Sequence, residues 1–166
     1  MSKLIILRGN SGSGKTSVAK ALQWKFGQNT MLLSHDMVRL DMLHVWGEEG
    51  KRRSKPLMIE LLRYARRNSE VTILEGILDS KEYHPLFEAA VEEYGSDIFA
   101  YYWELPFEET LIRHSTKPNR DDFGEPEMRR WWREKDYLTI IKETILTKDL
   151  SFDDALEKIY QEVISE

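Results

Sequence analysis

Leu4-Ile5-Ile6-Leu7-Arg8-Gly9-Asn10-Ser11-Gly12-Ser13-Gly14-Lys15-Thr16 carries an apolar run straight into a glycine-rich turn. From Gly9 the residues spell G-x-x-x-x-G-K-T, the spacing of a phosphate-binding loop set between a buried strand and a helix. Such a loop wraps a polyphosphate in backbone N–H groups, and glycine lets the backbone approach closely where a side chain would intervene. Lys15 then reaches the β- and γ-phosphates, Thr16 offers a hydroxyl to Mg²⁺, and the positive end of the following helix favours the negative charge. An ordinary strand-to-helix turn is the plain alternative. It is disfavoured because all the fixed positions match and Val18, Ala19, Leu22 and Phe26 follow at helical spacing. Gly9, Asn10, Ser11, Gly12, Ser13, Gly14, Lys15 and Thr16 are therefore the expected nucleotide-binding residues.

Composition narrows the class. At 166 residues, with 41% hydrophobic and 32% charged residues, the chain fits one domain, 1–166, able to bury a sound core. A net charge of −5 argues against a broad surface for coating nucleic acid. There is no cysteine, which removes disulfides, thiolate metal sites and cysteine nucleophiles. The four histidines show no metal-ligand spacing. No stretch approaches the ~18 apolar residues of a membrane span and the N-terminus lacks a signal-peptide pattern, so no membrane partner and a cytoplasmic location are expected.

Along the chain, apolar runs at Leu4–Leu7, Met31–Leu33, Val71–Leu74, Ile98–Trp103 and about Thr144–Thr147 read as strands. Helical patterns separate them. One runs from Lys15 to Phe26, with Gly27 as its cap. A second follows Asp36, with Met37, Leu40 and Leu43 along one side. A third opens at Pro56 and a fourth covers Tyr83 to Tyr94. Further helices begin near Pro106 and Pro126, and the last is capped by Ser151. Gly47–Lys55 reads as a mobile polar loop around Lys51-Arg52-Arg53, and His114–Gly124 as a second polar stretch. Regular alternation implies a parallel sheet covered on both faces, with ligands beyond the carboxyl ends of the strands. The phosphate-binding loop, Asp36, Glu75 and Glu104 all fall at or just after such ends, so they are expected to meet in one cleft.

Asp36 begins a D-x-x-R with Arg39. Three residues apart on a starting helix, both side chains can face one substrate: the carboxylate as general base, the guanidinium as a grip on a polar or anionic group. The plain alternative is that Asp36 caps the helix and pairs with Arg39. Glu75 ends the third strand, where an acid can hold Mg²⁺, its water or the substrate. Of the cations in and beyond the polar stretch, Arg113 ends a helix and Arg120 lies in the loop. Both suit a flap that neutralises charge during phosphoryl transfer, Arg113 on the nucleotide and Arg120 in catalysis. Lys51-Arg52-Arg53 suits either a solvated surface or single-stranded nucleic acid. His114 is the histidine best placed to touch a ligand, and Trp131-Trp132 reads as packing for the flap helix.

Gly9–Thr16, Asp36-x-x-Arg39, Leu74-Glu75-Gly76 and the arginine-bearing flap together resemble the P-loop kinases of the polynucleotide kinase and zeta-toxin group, cousins of adenylate and shikimate kinases. Arg113–Pro118 is similar to a segment of bacterial proteins labelled uridine kinases or AAA-family ATPases. The resemblance implies a P-loop NTPase fold: three-layer α/β/α, a roughly five-stranded parallel sheet, and an Arg-bearing lid at about 114–125 as in nucleoside monophosphate kinases. It also implies ATP and Mg²⁺ as cofactors, Lys15 and Thr16 serving them, Asp36 as base, Arg39 as substrate contact, and Arg113 and Arg120 as lid cations. The chain shows no counterpart of the phosphatase domain of phage polynucleotide kinase or of the antitoxin-contacting helices around zeta toxins, so neither specific activity is carried over. The leading expectation is a kinase for a small-molecule hydroxyl, of nucleoside, sugar-nucleotide or antibiotic type. A polynucleotide 5′-hydroxyl kinase and a nucleotide-dependent switch are the alternatives. A guanine-reading N-K-x-D is absent.

Overall fold

A computed structural model describes residues 2–166. In chain order the elements are β1 (Lys3–Gly9), α1 (Lys15–Phe26), β2 (Met31–Ser34), a π-helical turn (Met37–Met42), α2 (Gly47–Asn68), β3 (Val71–Gly76) and α3 (His84–Tyr94). Then come β4 (Ile98–Trp103), α4 (Phe107–Ser115), α5 (Glu125–Trp131), β5 (Glu143–Leu146) and α6 (Phe152–Ile164). The strands form one five-stranded sheet in the order β2-β3-β1-β4-β5, every pairing parallel. This is the doubly covered α/β architecture that the alternation of apolar runs and helical patterns predicts.

Central β1 shows why the sheet needs cover on both faces. Leu4 and Ile6 point into a core with Met58 and Leu62 of α2 and Leu86, Phe87 and Ala90 of α3. Ile5 and Leu7 point the opposite way, into Val18 and Leu22 of α1 and Ala155 and Ile159 of α6. All four side chains of the run are fully buried, each contributing about 1.5–3 kcal/mol by leaving water. Ser151 caps α6 as its position predicts, accepting from Asp154 N at 3.1 Å. Among the described residues no helix is long and apolar enough to cross a membrane.

Three stretches differ from the sequence reading. Gly47–Lys55 is the start of α2 and not a loop, and Pro56 lies inside that helix rather than in its first turn. Glu48 and Glu49 occupy the first turn and pair with Lys51, Arg52 and Arg53 one turn on. These i,i+3 and i,i+4 pairs and the helix dipole favour helix where polarity alone suggested a loop. The turn after Asp36 is wound as a π-helix, with Leu43 N donating to Val38 O at 3.0 Å. Its wider period buries Val38 and leaves Met37 and Leu40 exposed, so the side expected from Met37, Leu40 and Leu43 does not form. Finally, β1 runs on through Arg8 to Gly9, placing a fully buried guanidinium in the sheet, and β5 starts at Glu143.

Candidate active site

The loop Gly9–Thr16 leaves β1 at the carboxyl edge of the sheet and enters α1. Gly12 has φ +84°, and a Cβ there would stand 2.5 Å from the Thr110 carbonyl, so the loop closes on α4 only with glycine at this position. Inside the loop, the Asn10 carbonyl accepts from Ser13 N at 3.2 Å, from the Ser13 hydroxyl and from Lys15 Nζ at 3.1 Å. Lys15 is buried. Desolvation pushes its ammonium below the usual lysine range, while the charges of Glu75 and Asp36 act in the opposite direction. An arriving anion would relieve that desolvated cation.

Thr16 Oγ1 donates to Glu75 Oε1 and Oε2 at 3.1 and 3.2 Å. Glu75 is buried at the end of β3, beside β1 in the sheet. A hydroxyl and a single carboxylate are hard oxygen donors, the set Mg²⁺ takes when substrate phosphates and water complete its shell. Among the described residues, no group of three or more His, Asp or Glu gathers into an all-protein metal site.

Asp36 follows β2, the strand beyond β3. Its side chain is 73% exposed, and Arg39 Nη2 donates to Oδ1 at 2.9 Å. Its desolvated surroundings push the carboxyl upward, but the hydrogen bond and charge of Arg39 outweigh this and hold it below the usual aspartate range. Arg39 Nε is buried and has no partner. The guanidinium reaches this position because α2 presents Gly50 beneath it: a Cβ at Gly50 would meet Arg39 Cγ and Cδ at 3.0 Å. Asp36 thus pairs with Arg39, one half of the plain alternative, while the other half, a cap bond from its carboxylate, is not made. Neighbouring His35 is buried with its Nε2 2.6 Å from the Tyr83 hydroxyl, and burial pushes its pKa down to about 4.

The stretch 114–125, expected to act as a lid, and its flanks divide the predicted cations. Arg113 Nη1 donates to Ser13 O at 2.9 Å and Nε to Glu109 Oε1 at 3.1 Å, placing it against the phosphate loop. Lys117 donates to the Ser17 hydroxyl. Between them and α6 lies a cavity of about 270 Å³, lined among others by Gly14, Trp103, Arg113, Lys117 and Phe152. Arg120 is exposed and donates to Lys117 O at 3.3 Å, so it is not gathered with Arg113 on the loop. Arg129 pairs with Glu125 and Arg133 with Asp79. His114 is buried, stacks on Phe123 and turns Nε2 to the carbonyls of Phe123 and Arg120. It holds the lid turn together rather than facing a ligand. Trp131 and Trp132 pack edge-on against Phe123 and Phe107, and Glu104 accepts from Tyr137 instead of joining Thr16 and Glu75.

Two features escaped the sequence reading. Arg8 donates to Glu143 at 2.9 and 3.0 Å, to Asp136 at 2.8 Å and to Leu78 O, between the rings of Phe87 and Tyr102. A charge closing an apolar strand was the available signal, but its partners lie 128 and 135 residues away. The second is the side chain of Asn10, which is bonded to the backbone of Arg133.

The chain matches no protein-family model and no curated protein sequence. Solved structures do share its fold. A gluconokinase from Sinorhizobium meliloti aligns at TM-score 0.68 and 13% identity, over 98% of this chain and 94% of that one. The Deinococcus radiodurans tunicamycin resistance protein aligns at 0.67 and 18%, over 98% and 96%. The APS kinase of Mycobacterium tuberculosis, solved with AMPPNP and APS, aligns at 0.65 and 20%, over 99% and 98%. The fold is that of the P-loop kinases.

Proposed function

We propose that this chain is an ATP- and Mg²⁺-dependent phosphotransferase that moves the γ-phosphate to a hydroxyl of a small molecule of nucleoside, sugar-nucleotide or antibiotic type. One observation carries the reading. The Lys15 ammonium, the Thr16 hydroxyl and the Glu75 carboxylate meet at the ends of β1 and β3, and the exposed Asp36 carboxylate follows the end of the next strand, within electrostatic reach of Lys15. Those are a donor half and an acceptor half side by side.

In this reading the loop amides and Lys15 hold the polyphosphate, and Thr16 and Glu75 hold Mg²⁺. Held by these two residues, Mg²⁺ would supply positive charge against the negative charge that builds on the transferring group. Asp36 accepts the proton of the attacking hydroxyl while Arg39 orients both the carboxylate and the acceptor. The nucleoside end of ATP takes the cavity beside Arg113, Lys117 and Phe152. The lid at about 114–125, part of one domain spanning 1–166, moves to bring Arg120 to the phosphates. The reaction belongs in the cytoplasm, where ATP is supplied.

Proteins of this fold named for small acceptors, gluconokinase and APS kinase, support a small-molecule hydroxyl. So does the state of the basic stretch in α2. Lys51, Arg52, Arg53 and Lys55 are paired with three carboxylates, Glu48, Glu49 and Glu82, which leaves a surplus of one positive charge where a nucleic-acid strand would need several. The test is ADP release from ATP and Mg²⁺ across a panel of nucleosides, sugar nucleotides, aminoglycosides and oligonucleotide 5′ ends. Stimulation by a small hydroxyl compound is expected. Stimulation by oligonucleotides alone, or by nothing on the panel although ATP binds, would contradict the proposal, the latter in favour of a switch.

A further inference from the structure

Between α5 and β5 the chain has neither helix nor strand, yet its first part is fastened almost residue by residue. Asn10 Nδ2 donates to Arg133 O at 2.8 Å, and Arg133 N donates to Asn10 Oδ1 at 2.8 Å. Asp136 N donates to the Tyr102 hydroxyl, while the Asp136 carboxylate accepts from Ser80 N, Ser80 Oγ and Arg8. Leu138 N donates to Glu143 Oε1 at 2.8 Å. Residues 133–138 form a strap across the carboxyl edge of the sheet. At its head the Arg133 guanidinium meets Asp79 at 2.9 Å, just past β3. Asp79 lies three residues past Gly76, where an added Cβ would stand 2.8 Å from His35 Cβ, so this head follows the strand end that packs beside Asp36.

Asn10 faces both ways. Its carbonyl is the acceptor that organises the loop, bonded to Ser13 and Lys15. Its side-chain amide grips the strap in the manner of a strand partner, with donor and acceptor used on one residue's backbone. That amide is buried and committed to Arg133, so it is not turned toward a phosphate. When a polyphosphate takes the Lys15 ammonium, the loop amides that close on the anion hold the Asn10 backbone more firmly than that one bond did, while its side chain stays bound to the strap.

We propose that Asn10 is a positioning residue that couples nucleotide occupancy of the phosphate loop to the strap 133–138, and through it to the Arg133–Asp79 pair. This rests on the nucleotide-binding part of the reading above. A coupling of this kind is a difference in strap stability between the empty and occupied loop, and it is absent when the side chain that carries it is removed.

The experiment is amide hydrogen exchange on the intact chain, with and without AMPPNP and Mg²⁺, paired with calorimetry of AMPPNP binding. In the wild type AMPPNP slows exchange of 133–138 by at least about fivefold, the low end of ordinary couplings. Asn10→Ala, compared with the wild type at saturating AMPPNP in each, loses that protection. Arg133→Ala keeps it, because the clamp is on the backbone. A merely structural Asn10 would loosen the strap equally in both states and leave the protection intact, which overturns the proposal. A fall in AMPPNP affinity beyond about tenfold in Asn10→Ala also overturns it, since the amide would then be a phosphate ligand. If Asn10→Ala fails to fold, Asn10→Asp, which keeps the acceptor and loses the donor, decides by the same comparison. No AMPPNP binding by the wild type defeats the nucleotide reading along with the coupling; binding without protection defeats the coupling alone.

Discussion

The two sides of the cleft, proposed as donor and acceptor, are built differently. On the donor side the contacts that shape the loop are local: Asn10, Ser13 and Lys15 bond one another within one short turn, and Glu75, Arg113 and Arg133 reach it from farther away. On the acceptor side Asp36 follows β2, Arg39 comes from a π-helical turn, the Gly50 seat from α2, Asp79 from beyond β3 and Arg133 from beyond α5. A loop that makes its own contacts is written in consecutive residues. A pocket assembled from several elements depends on the sheet to bring them together, and on Arg8 beneath it to fix their distances.

That contrast is broken most severely at Arg8. Arg8→Met leaves the Asp136 and Glu143 carboxylates without their cation, Glu143 almost fully buried. It should cost about 3–5 kcal/mol in chemical denaturation, the range for breaking a buried pair from one side. A cost below about 1 kcal/mol, the level of surface pairs, would show that the floor does not depend on it. Lys15→Ala touches only the donor side. It should weaken AMPPNP–Mg²⁺ binding about 10²-fold, some 2.7 kcal/mol, with little change in melting temperature. A large loss of stability instead would mean that the loop needs Lys15 for folding as well as for phosphate.

Under the acceptor side, His35 supplies a pH test. Its folded pKa, about 4, lies below the ordinary 6.5 because burial disfavours the imidazolium. Between those values the unfolded chain takes up a proton that the native state does not, so stability falls as pH drops through the window. From pH 7 to 5 the loss should be about 2 kcal/mol. It should be absent in His35→Asn, and an unchanged slope in that variant would acquit His35. The smallest effect is Gly50→Ala. Alanine favours α2 by about 0.5–1 kcal/mol, while the new methyl displaces the Arg39 stem. Stability should hold or rise as transfer falls several-fold; equal behaviour in both assays would remove Gly50 from the acceptor side.

Legibility followed the same division. The phosphate loop, the strands and the bond between D-x-x-R partners were readable because each depends on neighbours within a turn or on strict apolar runs. The start of α2 was misread because helix there rests on Glu48 and Glu49 pairing across a turn, which outweighs the polar composition. The exposure of Met37 and Leu40 follows from π rather than α winding, which no side-chain period announces. Arg8 with Glu143 and Asn10 with Arg133 were invisible for a simpler reason. Partners more than a hundred residues apart meet only through the sheet order β2-β3-β1-β4-β5.

The central claim is that Asp36 takes the proton from the acceptor. The direct measurement is ADP release by Asp36→Asn with the acceptor that the panel identifies, alongside AMPPNP affinity of the same variant. The account predicts unchanged AMPPNP affinity and transfer slowed at least ~10²-fold, as for a missing general base. Wild-type turnover in Asp36→Asn, or slow turnover fully explained by lost nucleotide binding, would contradict it.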